Sequence, residues 1–230
     1  MKRILITGAS RGIGRAIAEK LAATDVTLLL HGRDTVALAE TRKVVEKNCA
    51  KVVPLIHDLA TAKGVSNLIS EVGTVPIDVL INNAGIAVVK PFREITRTEW
   101  DQIVGVNVTA PFLLMQHFAC EMPPGSSIVN ILSVAAKTGF PNWSAYCMSK
   151  FALEGLSQSI REELREHRIR VINIYPAATS TEIWDDVAGD WPREKMMAPS
   201  ELADAVAYAL SRPNEVAVEN ITLTNASGSL

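Results

Sequence analysis

"TGASRGIG", Thr7 to Gly14, follows the short apolar run Ile4-Leu5-Ile6 and decides how the rest of the chain is read. Gly8-Ala9-Ser10-Arg11-Gly12 matches G-x-S-x-G, the turn that presents a nucleophilic serine in hydrolases. The same glycines, spaced G-x-x-x-G-x-G, also suit a loop that cradles a phosphate. Gly8, Gly12 and Gly14 would then serve a tight turn, close approach of backbone to pyrophosphate, and close packing of helix on strand. Both readings place the turn between a strand and a helix, so partners elsewhere must choose between them. A hydrolase needs an acid and then a histidine further along the chain. The histidines are His31, His57, His117 and His167, and none follows the sixth predicted strand. The phosphate reading is preferred, with Ser10 as a short polar group in the loop and Arg11 beside it.

The chain of 230 residues is 48% hydrophobic and 21% charged, enough to bury a large core in one domain, 1–230. A net charge of −2 argues against broad attraction to nucleic acid or to an anionic membrane surface. Cys49, Cys120 and Cys147 are odd in number and widely spaced, which fits a reducing, cytoplasmic setting and neither a zinc site nor a disulfide framework. The opening Met1-Lys2-Arg3 does not lead into a complete signal-peptide core, and no run approaches the ~18 apolar residues of a membrane helix.

Short apolar runs at 4–7, 26–30, 52–56, 79–81, 127–131, 170–175 and 221–224 read as seven strands. Helical periodicity at 12–23, 34–48, 61–72, 98–121, 144–167 and 199–211 supplies crossover connections between them. The alternation predicts an α/β fold in one domain, with a seven-stranded parallel sheet covered by helices on both faces. The segment 177–199 has no clean period and carries Trp184, Trp191, Met196 and Met197, the pattern of a lid or substrate loop. With Trp143 these residues suit an apolar mouth and ordinary packing equally well.

The end of the second strand reads His31-Gly32-Arg33-Asp34. An acidic group there suits the ribose of NAD, whereas a basic group accepts the 2′-phosphate of NADP. Arg33, together with Arg11, favours NADP(H), with NAD(H) as the alternative. Asp34 either caps the next helix or faces the ribose.

Tyr146 and Lys150, four apart in "YCMSK", project from one face of a predicted helix, and Ser133 stands just past the strand "SIVNIL". A phenol is a poor proton-transfer group at neutral pH until a nearby ammonium favours its ionised form, which Lys150 can supply. The pair suits proton exchange with a carbonyl or alcohol oxygen that Ser133 holds in place. Asn107, an amide in the apolar setting "VNV", is a candidate anchor for a water feeding Lys150.

With these residues in view, the chain resembles the classical short-chain dehydrogenase/reductase family, in its NADP-preferring branch, from Met1 to about Leu210. The motifs are "TGASRGIG", Asp58 after the third strand, "NNAG" at Asn82 to Gly85, Asn107, Ser133 and Tyr146-x-x-x-Lys150. The resemblance implies a three-layer, doubly wound, mostly parallel seven-stranded Rossmann-type sheet, with Tyr146 as general acid/base, Lys150 as its activator and ribose binder, Ser133 as donor to the substrate oxygen and Asn107 as relay anchor. It implies cofactor contacts from Gly8, Ser10, Arg11, Gly12, Ile13, Gly14 and Arg33, and from Asp58, Leu59, Asn83, Ala84 and Gly85. Further along, Pro176 and Thr181 match the positions that hold the nicotinamide, with Thr179 as an alternative amide contact. Ala177 replaces the family's usual glycine, and its β-carbon disfavours positive φ, so a different local backbone is expected.

The expected activity is NADPH-dependent reduction of a ketone or aldehyde, reversible as alcohol oxidation, by a homodimer or homotetramer with no metal. The C-terminal "VENITLTNASGSL" departs from the glycine-rich ending of 3-oxoacyl-carrier-protein reductases, which remain an alternative. A non-catalytic NADP(H)-binding sensor or scaffold is a second alternative, against which the Ser133, Tyr146 and Lys150 set speaks.

Overall fold

A computed structural model describes residues 1–187, 189, 191–226 and 228. Positions 188 and 190 of the expected substrate loop, and 227, 229 and 230 of the C-terminal stretch, lie outside the described residues. The seven strands are β1 (Lys2–Ile6), β2 (Val26–Gly32), β3 (Lys51–Ile56), β4 (Val79–Asn82), β5 (Ser127–Ile131), β6 (Arg170–Pro176) and β7 (Asn220–Leu223). They form one sheet in the order β3-β2-β1-β4-β5-β6-β7, and every pairing is parallel. The chain winds outward from β1 on one side and then crosses to β4 on the other. The gap between the carboxyl ends of β1 and β4 is therefore a topological switch point, where open α/β sheets bind ligands.

Seven α-helices connect and cover the strands: α1 (Gly12–Leu21), α2 (Thr35–Val45), α3 (Ala62–Val72), α4 (Arg97–Val104), α5 (Ala110–Ala119), α6 (Ser144–Arg165) and α7 (Pro199–Leu210). Strand side chains alternate between the sheet's faces, which is why both faces carry an apolar core. Ile4, Ile6, Leu28, Ile81 and Ile172 meet α1, α2 and α7 through Ile17, Leu38 and Leu202. Leu5, Leu29, Leu80, Ile128 and Val171 meet α3, α5 and α6 through Leu68, Leu114 and Leu153.

The helix expected at 98–121 is not continuous. A π-helical turn, Gly105–Thr109, separates α4 from α5, with the Ala110 amide donating to the Gly105 carbonyl. Pro111 accounts for the break, since it has no N–H for the α-helical bond to the Asn107 carbonyl four residues earlier. The polar residues of the inner strands form a second unforeseen feature. Asn82, Asn130, Asn173 and Asn220 stand in register across β4 to β7. Asn82 Nδ2 donates to Asn130 Oδ1 at 2.8 Å, Asn130 Nδ2 to Ser157 Oγ at 2.9 Å, and Asn173 Nδ2 to Glu154 Oε2 at 3.2 Å. These bonds pair buried amide groups that would otherwise be costly, while Asn82 Oδ1 is left buried without a partner.

The described residues of 177–199 include two 3₁₀ turns, Glu182–Asp186 and Arg193–Lys195. A parallel bridge between Thr179 and Met197 shuts the segment's base, with Ser180 N donating to Met197 O at 2.9 Å and Met197 N to Ala178 O at 3.0 Å. Among the described residues, no helix is long and apolar enough to cross a membrane.

Candidate active site

The opening loop sits over the switch point, and its shape follows from close packing. Gly8 has φ +67°, and a β-carbon on it would stand 2.8 Å from Ala84 Cα. A β-carbon on Gly14 would stand 2.1 Å from the Gly8 carbonyl oxygen, so only glycine lets α1 press against the loop. The Thr7 hydroxyl ties the loop to the end of β4, donating to Ile81 O at 3.2 Å and accepting from Asn83 N and Ala84 N, both at 3.0 Å. Asn83 returns the contact, its Nδ2 donating to Thr7 O at 2.9 Å and Gly8 O at 3.0 Å. Sequence reading placed Thr7 at a strand end and missed this junction.

Loop, strand ends and substrate segment enclose a cleft of about 960 Å³. Gly8, Ser10, Arg11, Gly12, Ile13, Arg33, Asp58, Leu59, Asn83, Ala84 and Gly85 line one part of it. Ser133, Tyr146, Lys150, Pro176, Thr179 and Thr181 line the other. Of the residues expected at the site, Gly14 and Asn107 lie beneath the lining. Gly14 acts through the packing just described and not as part of the cleft's surface.

The first part of the cleft fits a nucleotide phosphate. The N-cap position of α1, Arg11, makes no side-chain cap to the helix, so the first-turn amides face the loop uncapped by a side chain. Ser10 Oγ is buried without a hydrogen-bond partner and belongs to a residue that lines the cleft. Asp34 is a helix cap, its Oδ1 accepting from Val36 N and Ala37 N at 3.0 Å, and it also lines the cleft. Arg33 is exposed, with Nη1 3.9 Å from Asp58 Oδ1, a contact too solvated to hold it.

His31, not foreseen at the site, is buried and lines this part of the cleft. Burial lowers its pKa to about 4, so the ring is neutral, with Nε2 donating to His57 O at 3.1 Å and Nδ1 accepting from Gly8 N at 3.4 Å. It thereby ties the ends of β2 and β3 to the phosphate loop.

At the other end, Ser133 follows β5 and Tyr146 and Lys150 lie on the first turns of α6. Lys150 is buried and donates to Ile131 O at 2.9 Å, and burial lowers its pKa to about 8. Its Nζ lies 5.6 Å from the Tyr146 ring centroid. Burial raises the Tyr146 pKa to about 12, against which a hydrogen bond with Ser133 acts. The Lys150 ammonium is not among the causes of that shift, which are burial, the Ser133 hydrogen bond and the charge of Cys147. Asn107 sits in the π turn and braces two segments. Its Oδ1 accepts from Ile86 N at 2.9 Å, while Nδ2 donates to Ile86 O at 2.9 Å and to Ser149 Oγ at 3.0 Å.

Positive φ among the described non-glycine residues is confined to Asn142 and Arg168, so Ala177 is unstrained. Its amide donates to Leu223 O at 2.9 Å, and its carbonyl accepts from Thr179 Oγ1 at 3.0 Å.

The short chain dehydrogenase family profile matches residues 2–190. An uncharacterised oxidoreductase of Staphylococcus saprophyticus is 32% identical, with 96% of each chain covered. The L-2,3-butanediol dehydrogenase of Corynebacterium glutamicum is 36% identical over 81% of this chain and 75% of its own. Among solved structures, the angucycline C-6 ketoreductase LanV with bound NADP superposes with a TM-score of 0.85 at 29% identity, covering 96% of this chain and 93% of that one. The chain belongs to the short chain dehydrogenase family, whose named relatives are oxidoreductases.

Because one hydroxyl joins β1, β4 and the Asn83 turn, Thr7→Val should lower the free energy of unfolding by about 1–3 kcal/mol, the cost of leaving buried amides unpaired. Urea denaturation of the two proteins measures the difference.

Proposed function

We propose that the protein is an NADPH-dependent carbonyl reductase, reversible as an alcohol dehydrogenase, acting on ketones or aldehydes. The observation that carries this reading is the meeting of Ser133, Tyr146 and Lys150 in the same cleft as a phosphate loop with an unpartnered buried Ser10 hydroxyl. NADP is supported by Arg33 in the cleft and by solved relatives crystallised with NADP.

When bound, the reduced nicotinamide supplies the hydride that the carbonyl carbon receives. Ser133 and Tyr146 hold the carbonyl oxygen between two hydroxyls, and Tyr146 gives that oxygen its proton as negative charge develops. A phenol with pKa near 12 is in the donor form throughout the neutral range. The Lys150 ammonium stabilises the phenolate left behind. Reprotonation runs through a water between Asn107 and Lys150. Both groups lie near Gly85, a β-carbon on which would stand 3.6 Å from Asn107 Oδ1 and 3.7 Å from Lys150 Nζ. The protein is also proposed to be cytoplasmic, given its three free cysteines. It assembles as a homodimer or homotetramer through the outer faces of α5 and α6, where Phe112 and Phe151 are 40% and 46% exposed.

Tyr146→Phe should lower kcat for carbonyl reduction by about 10²–10⁴-fold and leave NADPH affinity within a few-fold. Absorbance at 340 nm and a cofactor titration measure the two effects, and a fully active variant would overturn the proton-transfer role. At saturating NADPH, kcat/KM for reduction should be level from pH 6 to 7 and fall above about 8. Tyr146, raised to about 12, keeps its proton there, whereas Lys150, lowered to about 8, loses the charge on which the step depends. Arg33→Ala should weaken NADPH binding by about ten- to a hundredfold with little change for NADH, the loss of a charge-assisted contact to the 2′-phosphate. An unchanged ratio of the two affinities would remove Arg33 from that role.

A further inference from the structure

Three tryptophans from two separate segments converge on the Tyr146 end of the cleft. Trp143 precedes α6, held by the Asn142 turn (φ +68°) and by its amide bond to Phe140 O at 3.1 Å. Its ring meets Tyr146 edge-on, with centroids 5.5 Å apart and an interplanar angle of 68°. Trp184 and Trp191 come from the substrate loop and pack on Trp143 at 5.7 and 6.1 Å, and on one another at 4.8 Å. All three are half-buried and line the cleft.

The wall is also built in advance of any ligand. Trp184 Nε1 donates to Thr179 O at 2.8 Å, the Thr179–Met197 bridge closes the loop's base, and Val187 and Met196 are buried beneath it. Holding these rings in place before binding spares the ligand the entropy of ordering them.

We infer that this wall selects planar aryl ketones, in which an aromatic ring attached to the carbonyl lies against the tryptophans while the carbonyl oxygen reaches Ser133 and Tyr146. The inference deepens the reductase reading and rests on it. A flat π-face gains ring contacts beyond simple area burial, and a ketone conjugated to its ring presents ring and carbonyl in one plane. An open-chain polyol would surrender water from every hydroxyl laid against the indole rings. A flexible alkyl ketone would bury apolar area but lose chain entropy and gain no ring contact.

The test compares acetophenone and 1-tetralone with 2-octanone and with a ketopentose, using the full-length protein and NADPH. The aryl ketones should exceed 2-octanone in kcat/KM by about tenfold, the size of one or two ring contacts, and exceed the ketopentose by more. Trp184→Leu should cut the preference for acetophenone over 2-octanone to about threefold or less, and Trp184→Phe should retain it. Both variants lose the bond to Thr179, so their difference isolates the ring. Equal turnover of 2-octanone and acetophenone, or equal behaviour of the two variants, would overturn the inference while leaving the reductase reading intact. Calorimetric titration of 1-tetralone and 2-octanone into the NADP-loaded protein separates the two failures. Binding without turnover of any carbonyl would sink the reductase reading, and tighter 1-tetralone binding would still support the aromatic wall, whereas equal affinities would overturn it.

Discussion

The open end of the sheet depends on one close approach. Helix α1 begins so near the end of β1 that Gly14 has no room for a β-carbon against the Gly8 carbonyl. Any side chain there would lift α1 from the strand and tilt the loop whose backbone lines the cleft. The Thr7 hydroxyl and the Asn83 amide close the arrangement from the other side of the switch point, and neutral His31 supports it. Packing and hydrogen bonding act together here, as the glycines permit contact and the polar side chains fix which contact is made.

The Tyr146 end is organised by burial. Lys150 is desolvated and anchored on Ile131 O, so both its position and its lowered pKa follow from the packing of α6 on β5. The π turn at Gly105–Thr109 brings the Asn107 amide to Ile86 and Ser149, joining the segment after β4 to the start of α6. A regular helix through 97–119 would turn that side chain elsewhere, because one extra residue per turn rotates everything beyond it by about 100°. The break therefore belongs to the site and is not an accident of helix packing.

Much of this was legible in the chain. Continuous apolar strands alternating with periodic helices already specify a parallel sheet covered on both faces, because only that arrangement buries such strands. The order of "TGASRGIG", "NNAG", Ser133 and Tyr146-x-x-x-Lys150 marks the loops at one end of that sheet. Pro111 and Gly105 signalled the helix break, although apolar periodicity masked it. The asparagine row of β4 to β7 was not legible, since register between strands is set by their pairing and not by any one strand.

The sequence by itself determined the fold class, the strand and helix order, and the identity of the polar residues gathered at the carboxyl ends. Those depend on local periodicity and on side-chain chemistry, which are properties of short segments. The tertiary structure alone decided that Asp34 caps a helix, that burial raises the Tyr146 pKa, that Asn107 is a brace, and that Trp143, Trp184 and Trp191 form one wall. Each of these depends on which distant segments come to share the same few ångströms, and on how much water they exclude there.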